Sequence, residues 1–172
     1  LVAGRWLMRD HRFALSRASL DGLTGLANQR SFAVDIGRVT SASERIGDIY
    51  SLVMLDIDDF RSINDEEGRK AGDRKLMEVA EVLEKQGLSD LPYRLGDDDF
   101  ALLMPGSHYE AAVSLAEELS TELHQKGTRA SIGVSTMRLG VRGEVVEAEA
   151  AAALKEARRR GGGNFVHFEE LR

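Results

Sequence analysis

Asp97, Asp98 and Asp99 stand side by side after Gly96, between Pro92-Tyr93 and the apolar run Phe100-Ala101-Leu102-Leu103-Met104. Adjacent carboxylates repel one another, so the triplet needs a reason. Two readings are open. The acids form a water-exposed tip, as charge runs commonly do. Or they hold a hard divalent cation such as Mg²⁺, which takes oxygen ligands and keeps phosphate as a co-ligand. A second group of acids, Asp56, Asp58 and Asp59, closes the apolar run Tyr50-Ser51-Leu52-Val53-Met54-Leu55. Asp56 and Asp58 lie two apart and so point to one face of a strand. Asp58 and Asp59 taken alone read as helix N-caps. Asp56, tucked between Leu55 and Ile57, would be costly to bury without a partner, and a metal is the economical one.

These acids need elements to hold them. Residues 50–58 read as a buried central strand whose acidic end lies at the mouth of a sheet, where α/β ligand sites form. Gly96 and its polar followers, flanked by β-compatible residues, read as a hairpin turn. A helix is expected over 29–41, capped by Thr24 or Asn28 and facing inward with Phe32, Ile36 and Val39, before a polar loop over 41–48. Phe60 starts another helix. Gly68 to Gly72 reads as a break, with Asp73 opening the next helix, Leu76, Val79, Ala80 and Leu83 inward, and Gly87 as its C′ residue. Further helices are expected over 108–126, with Ala112, Leu115, Ala116, Leu119 and Leu123 inward, and over 146–160. Short strands are expected over 130–135 and 165–168. The order is helix, strand, two helices, hairpin, helix, strand, helix, strand. It fits an α/β ferredoxin-like sandwich with helices packed on a central mixed sheet that contains an antiparallel hairpin.

Bulk properties narrow the classes. The chain has 172 residues, 42% of them apolar, enough for one domain with a real core. A net charge of −6 argues against a general nucleic-acid binder. The absence of cysteine excludes disulfides and thiolate metal sites and fits a cytoplasmic domain. Residues 1–20 differ from the rest. An apolar start with Trp6 is followed by Arg5, Arg9, Arg12 and Arg17 at helical spacing. They read as a signalling or linker helix arriving from a longer parent. Arginines beside an apolar end suit the cytoplasmic exit of a membrane helix, and a plain amphipathic linker is the other reading.

Five stretches, in order, resemble the GGDEF domains of diguanylate cyclases. Asp21-Gly22-Leu23-Thr24-Gly25-Leu26-Ala27-Asn28-Gln29-Arg30-Ser31-Phe32 is similar to their D-x-L-T-G-L-x-N-R-R-x-F opening. Asp56-Ile57-Asp58-Asp59-Phe60-Arg61-Ser62-Ile63-Asn64-Asp65 resembles D-I-D-x-F-K-x-I-N-D. Gly68-Arg69-Lys70-Ala71-Gly72-Asp73 resembles G-H-x-x-G-D, Arg94 to Phe100 aligns with R-Y-G-G-D-E-F, and Ser131-Ile132-Gly133-Val134 with S-I-G-V. The match runs from Asp21 to about Phe168, so residues 21–172 are expected to form one such domain with the nucleotidyl-cyclase version of the sandwich.

The resemblance implies that two GTP molecules, each on one of two facing domains, condense to cyclic di-GMP with metal assistance. It places the Mg²⁺ (or Mn²⁺) on Asp56, Ile57 and Asp98, and the catalytic carboxylates at Asp98 and Asp99. It assigns the nucleotide to Asn64, Asp73, Gly96, Asp97, Phe60, Arg61 and Arg158, with Asn64 and Asp73 reading guanine. The implied partners are GTP, a second copy in a transient homodimer, and an upstream sensor or membrane domain, with no nucleic acid. The signature departs from the pattern: it reads Gly96-Asp97-Asp98-Asp99-Phe100, with Asp97 for the second glycine and Asp99 for glutamate. An added carboxylate beside a triphosphate is expected to leave GTP binding with weak or no cyclase activity. A competent cyclase and a non-nucleotide dimerisation domain are the alternatives. Near the end, Arg158 stands at a lysine position, and a phosphate arginine falls on Gly162 or Gly163, for which Arg159 or Arg160 could compensate. The family's inhibitory R-x-x-D retains Asp90 but has Gly87 for its arginine, so no inhibitory site is expected.

Overall fold

The computed structural model describes residues 19–87 and 89–172. The expected N-terminal helix falls almost wholly outside them; Leu20, at its end, makes an isolated antiparallel bridge with Ala27. The elements are β1 (Ala27–Asn28), α1 (Gln29–Ile46), β2 (Tyr50–Ile57), α2 (Phe60–Glu67), α3 (Arg69–Glu84), β3 (Leu91–Arg94) and β4 (Asp99–Pro105). They continue with α4 (Tyr109–Gln125), β5 (Ala130–Thr136), α5 (Gly143–Arg159), β6 (Phe165–His167) and a terminal 3₁₀ turn, Phe168–Leu171. One mixed sheet has the order β1-β3-β4-β2-β5-β6. Its central strand β2 runs antiparallel to both β4 and β5, and the outer pairs β1–β3 and β5–β6 are parallel.

The period-2 alternation of β2 sorts the core into two layers. Val53, Leu55 and Ile57 face one side with Phe100, Leu102 and Met104 of β4, under α3 and α4. Tyr50 and Leu52 face the other with Ala101 and Leu103, under α1 and α5. Every inward residue expected on α1, α3 and α4 is buried. By the same alternation Asp56 and Asp99 face the α1–α5 side, and they are cross-strand partners in the register. On that side α5 lies directly on β5. A Cβ at Gly133 would overlap the Ala150 carbonyl oxygen and the Leu154 backbone of α5.

Several boundaries differ from the sequence reading. Asn28 is the cap of α1, accepting from Ser31 N at 3.2 Å, and the helix runs on through the polar 41–46 stretch to Gly47, which takes the left-handed conformation. Ser43 is buried there, so a segment polar by composition is helical by packing. α3 starts at Arg69, placing Asp73 inside the helix rather than at its cap. Gly72, read as part of a break, lies within it. A Cβ at Gly72 would overlap the Asn64 side-chain amide, so the missing side chain serves a close approach between α2 and α3 rather than a break. α3 ends at Glu84, and Gly87 lies beyond its C-cap in a turn closed by Asp90 N donating to Gly87 O at 2.9 Å. α5 begins at Gly143, three residues earlier than its apolar pattern suggests.

Candidate active site

Two strand ends build the site. β2 delivers Asp56 as its penultimate residue, and the β3–β4 hairpin delivers Asp98 and Asp99. The hairpin turn is closed by Leu95 N and Gly96 N donating to Asp99 O at 2.8 and 3.4 Å. Neither Gly96 nor Asp97 has a positive φ. A Cβ at Gly96 would meet Asp99 Oδ2 at 3.1 Å, so a larger residue there would nudge that carboxylate by a few tenths of an ångström. Arg94 braces the turn, donating from Nε to Gly96 O at 3.0 Å and from Nη2 to Asp97 O at 2.8 Å. Its Nη1 reaches both carboxylate oxygens of Asp21.

Ligand oxygens of Asp56, Asp98 and Asp99 lie within 4.8 Å of one another. Asp56 is buried, Asp98 and Asp99 half-buried, and Asp97 exposed. Burial, the neighbouring Asp99 carboxyl and the Asp98 charge push the Asp56 carboxyl up to about 8, against the opposing pull of Arg158. Burial and the Asp99 charge raise Asp98 as well. Crowded carboxylates that repel one another are an arrangement that a divalent cation relieves, and oxygen-only donors suit Mg²⁺ or Mn²⁺. The residues present therefore fit the metal.

Around this cluster Arg158, in the last turn of α5, donates from Nε to Asp56 Oδ1 at 3.1 Å and pairs through Nη2 with Asp56 Oδ2. The same Nη2 lies 3.8 Å from Asp99 Oδ1. Asp58 caps no helix. It accepts from Ser131 Oγ at 2.6 Å and Gly163 N at 2.7 Å, and so pins the Gly161-Gly162-Gly163 loop that follows α5. All three glycines have positive φ, a conformation that favours glycine. Asp59 sits at the N-terminus of α2 with φ +53° and makes no side-chain cap.

The other expected site residues fall on α2 and α3. Phe60 and Asn64 are half-buried, and Asn64 packs against Gly72, the neighbour of Asp73. Asp73 is exposed, as is Arg61, which pairs with Asp65 at 3.7 Å. Ile57 ends β2 and donates its backbone N–H to Asp98 O at 3.3 Å. Arg159 and Arg160, expected to compensate near the glycines, are instead engaged by Glu156. Arg129, which sequence reasoning passed over, reaches the loop: its Nη2 donates to Gly161 O at 2.6 Å. A lone arginine in Thr128-Arg129-Ala130 carries no signal of that contact.

The chain belongs to the diguanylate cyclase family: the family's GGDEF domain pattern matches residues 18–164. The diguanylate cyclase DgcP of Pseudomonas aeruginosa is 34% identical over 155 residues, covering 84% of this chain and 23% of that protein. The diguanylate cyclase DgcS of Shewanella oneidensis is 27% identical over 151 residues, 84% of this chain and 51% of that one. The chain thus spans about half or less of these relatives. Among solved structures, the GGDEF domain of Caulobacter crescentus DgcB in complex with c-di-GMP superposes with a TM-score of 0.85 at 27% identity, covering 91% of this chain and 96% of that one. The Pseudomonas aeruginosa diguanylate cyclase SiaD, solved with its activator SiaC, gives 0.84 at 34% identity, over 96% and 69%. These similarities establish the nucleotidyl-cyclase sandwich as the fold. No helix among the described residues is long and apolar enough to cross a membrane.

Proposed function

We propose that this is a GTP-binding domain of cyclic di-GMP signalling in which the altered signature leaves weak cyclase activity or none. The observation that carries the reading is the convergence of Asp56, Asp98 and Asp99 from two strand ends. In this reading Asp56, Asp98 and the Ile57 backbone hold Mg²⁺ or Mn²⁺, which supplies charge neutralisation for the triphosphate. Asn64 and Asp73 read guanine, the amide meeting its acceptors and the carboxylate its N1–H and N2–H₂ donors. Phe60, Arg61, Gly96 and Asp97 border the nucleotide, and Arg158 answers its phosphates.

Cyclisation needs two such domains face to face. The 3′-oxygen of one GTP bonds to the α-phosphorus of the other, the bond to the bridging oxygen breaks, and pyrophosphate leaves with the electron pair. The 3′-hydroxyl proton passes to a carboxylate, the role given to Asp98 or Asp99. The Asp97 carboxylate works against this by adding negative charge beside a polyanion. Residues 1–20 would bring the two copies together under an upstream sensor or membrane-anchored module, with the domain itself in the cytoplasm. A competent cyclase is the second reading, favoured by the intact carboxylate cluster.

The test is titration calorimetry with GTP and Mg²⁺ or Mn²⁺, followed by overnight incubation and chromatography for cyclic dinucleotide. Metal-dependent GTP binding with little product supports the proposal. Full conversion of GTP selects the competent cyclase, and no GTP binding selects a dimerisation or interaction module.

A further inference from the structure

Asp56 offers two carboxylate oxygens, and Arg158 engages both: Nε donates to Oδ1 at 3.1 Å and Nη2 pairs with Oδ2. This two-pronged contact is the strongest geometry an arginine makes with a carboxylate. The same guanidinium extends toward Asp99 Oδ1 at 3.8 Å. Asp56 and Asp99 also supply the ligand atoms of the three-carboxylate cluster. A Mg²⁺-class ion binds oxygen at about 2.0–2.1 Å. An ion on either Asp56 oxygen would bring a dication within a few ångströms of the Arg158 guanidinium, so the two cations compete for one carboxylate.

We propose that Arg158 is a tethered counter-cation that competes with the divalent metal for Asp56 and yields when a triphosphate draws it away, so that metal and nucleotide bind as a coupled pair. The inference rests on the GTP–metal reading given above. Three observations support it. Arg158 is the one cation among the described residues in ion-pair range of Asp56 and Asp99. The neighbouring arginines are committed elsewhere: Arg159 to Glu156, Arg160 to Glu156 and Glu170, and Arg129 to Asp58 and the glycine loop. And the Arg158 side chain is 47% exposed, so it has an open flank along which to swing without moving α5. Coupling of this kind is reciprocal: the nucleotide tightens the metal by the factor by which the metal tightens the nucleotide.

The experiment is electron paramagnetic resonance of Mn²⁺ titrated into the 172-residue chain, Arg158→Met and Arg158→Lys, each with and without GTP. With Mn²⁺ alone, Arg158→Met is expected to bind about five- to tenfold more tightly than the unaltered chain, the scale of one partly exposed charge-assisted pair. Arg158→Lys keeps the charge without the fork and falls between. GTP is expected to tighten Mn²⁺ in the unaltered chain by a larger factor than in Arg158→Met. An unchanged or weaker Mn²⁺ affinity in a folded Arg158→Met overturns the inference, and so does a failure of that variant to bind Mn²⁺ at all. If Arg158→Met does not fold, equal Mn²⁺ affinity of Arg158→Lys and the unaltered chain overturns it. Tighter Mn²⁺ binding in the variant with no GTP effect in any protein upholds the competition and overturns the GTP reading.

Discussion

Arg94 Nη1 donates to both carboxylate oxygens of Asp21, each at 3.1 Å, across 73 residues of sequence. The pair ties the turn ahead of α1 to the hairpin that carries Asp98 and Asp99. Both side chains are largely shielded, and the remaining donors of Arg94 hold the hairpin carbonyls.

Replacing Asp21 with Asn should therefore destabilise the fold by about 1.5–3 kcal/mol, the range for a hydrogen bond to a charged group. Burial acts to raise the Asp21 carboxyl, but hydrogen bonds from Thr24 and Arg94 outweigh it and hold the group below its ordinary 3.8. A depressed folded value means that the contribution is present above the unfolded pKa and lost as pH falls through the folded one. Urea melts should show the gap between the two proteins at neutral pH and its closure as the pH drops below about 4. A gap that widens on acidification would refute the assignment.

Asp97→Gly should tighten GTP binding or raise cyclase activity several-fold. A like-charge pair at roughly 4 Å costs about 4 kcal/mol at an effective dielectric of about 20, and metal and solvent reduce that to about 1–3 kcal/mol. The backbone at Asp97 is not left-handed, so the whole gain should come from removing charge and bulk, with no contribution from φ. Asp97→Asn should recover the electrostatic part and lie between. If Asp97→Gly moves neither affinity nor rate, the turn does not approach the nucleotide.

Asp98→Asn should separate stability from function. Burial and the Asp99 charge make the ionised Asp98 carboxylate costly at neutral pH. The neutral isostere should make the chain more stable in chelator while weakening its binding of Mn²⁺. Thermal melts paired with Mn²⁺ titration read both effects, and a less stable Asp98→Asn would contradict the account.

Cyclic di-GMP should not inhibit the unaltered chain, because no arginine stands at position 87. A Cβ at Gly87 would meet the flexible Asp90 carboxylate at 3.0 Å, and Gly87 is not left-handed, so a larger residue fits with a small adjustment. Gly87→Arg should then create product binding visible as a thermal upshift on adding cyclic di-GMP. No upshift would show that Asp90 is wrongly placed to complete such a site.

The sequence made the architecture legible wherever periodicity reported burial. The apolar run over 50–58 read as a buried central strand, which β2 is, and the spacing of Leu76, Val79, Ala80 and Leu83 marked the buried face of α3. It misled where a residue type had two physical uses. Gly72 looks like a helix break and is a helical residue that makes room for Asn64. The 41–46 stretch looks like a loop because most of its residues are polar, yet Ser43 is buried and the helix runs through to Ile46. At the site, the acidic residues were readable from type and motif. Their counter-charges were not: that Arg158 faces Asp56 across 102 residues, and that Arg129 takes the loop while Arg159 and Arg160 do not, depends on how α5 lies on the sheet.

That placement turns on Gly133, over which the α5 backbone passes too closely to admit a Cβ. A single methyl there would lift the helix and shift the root of Arg158 relative to Asp56. The acids of the signature are exposed or half-buried, so exchanging them one at a time should still leave a folded domain. Position 133 permits no such experiment: it has no functional atom of its own, yet a mutational survey scored by signalling output should find it among the least forgiving sites in the chain.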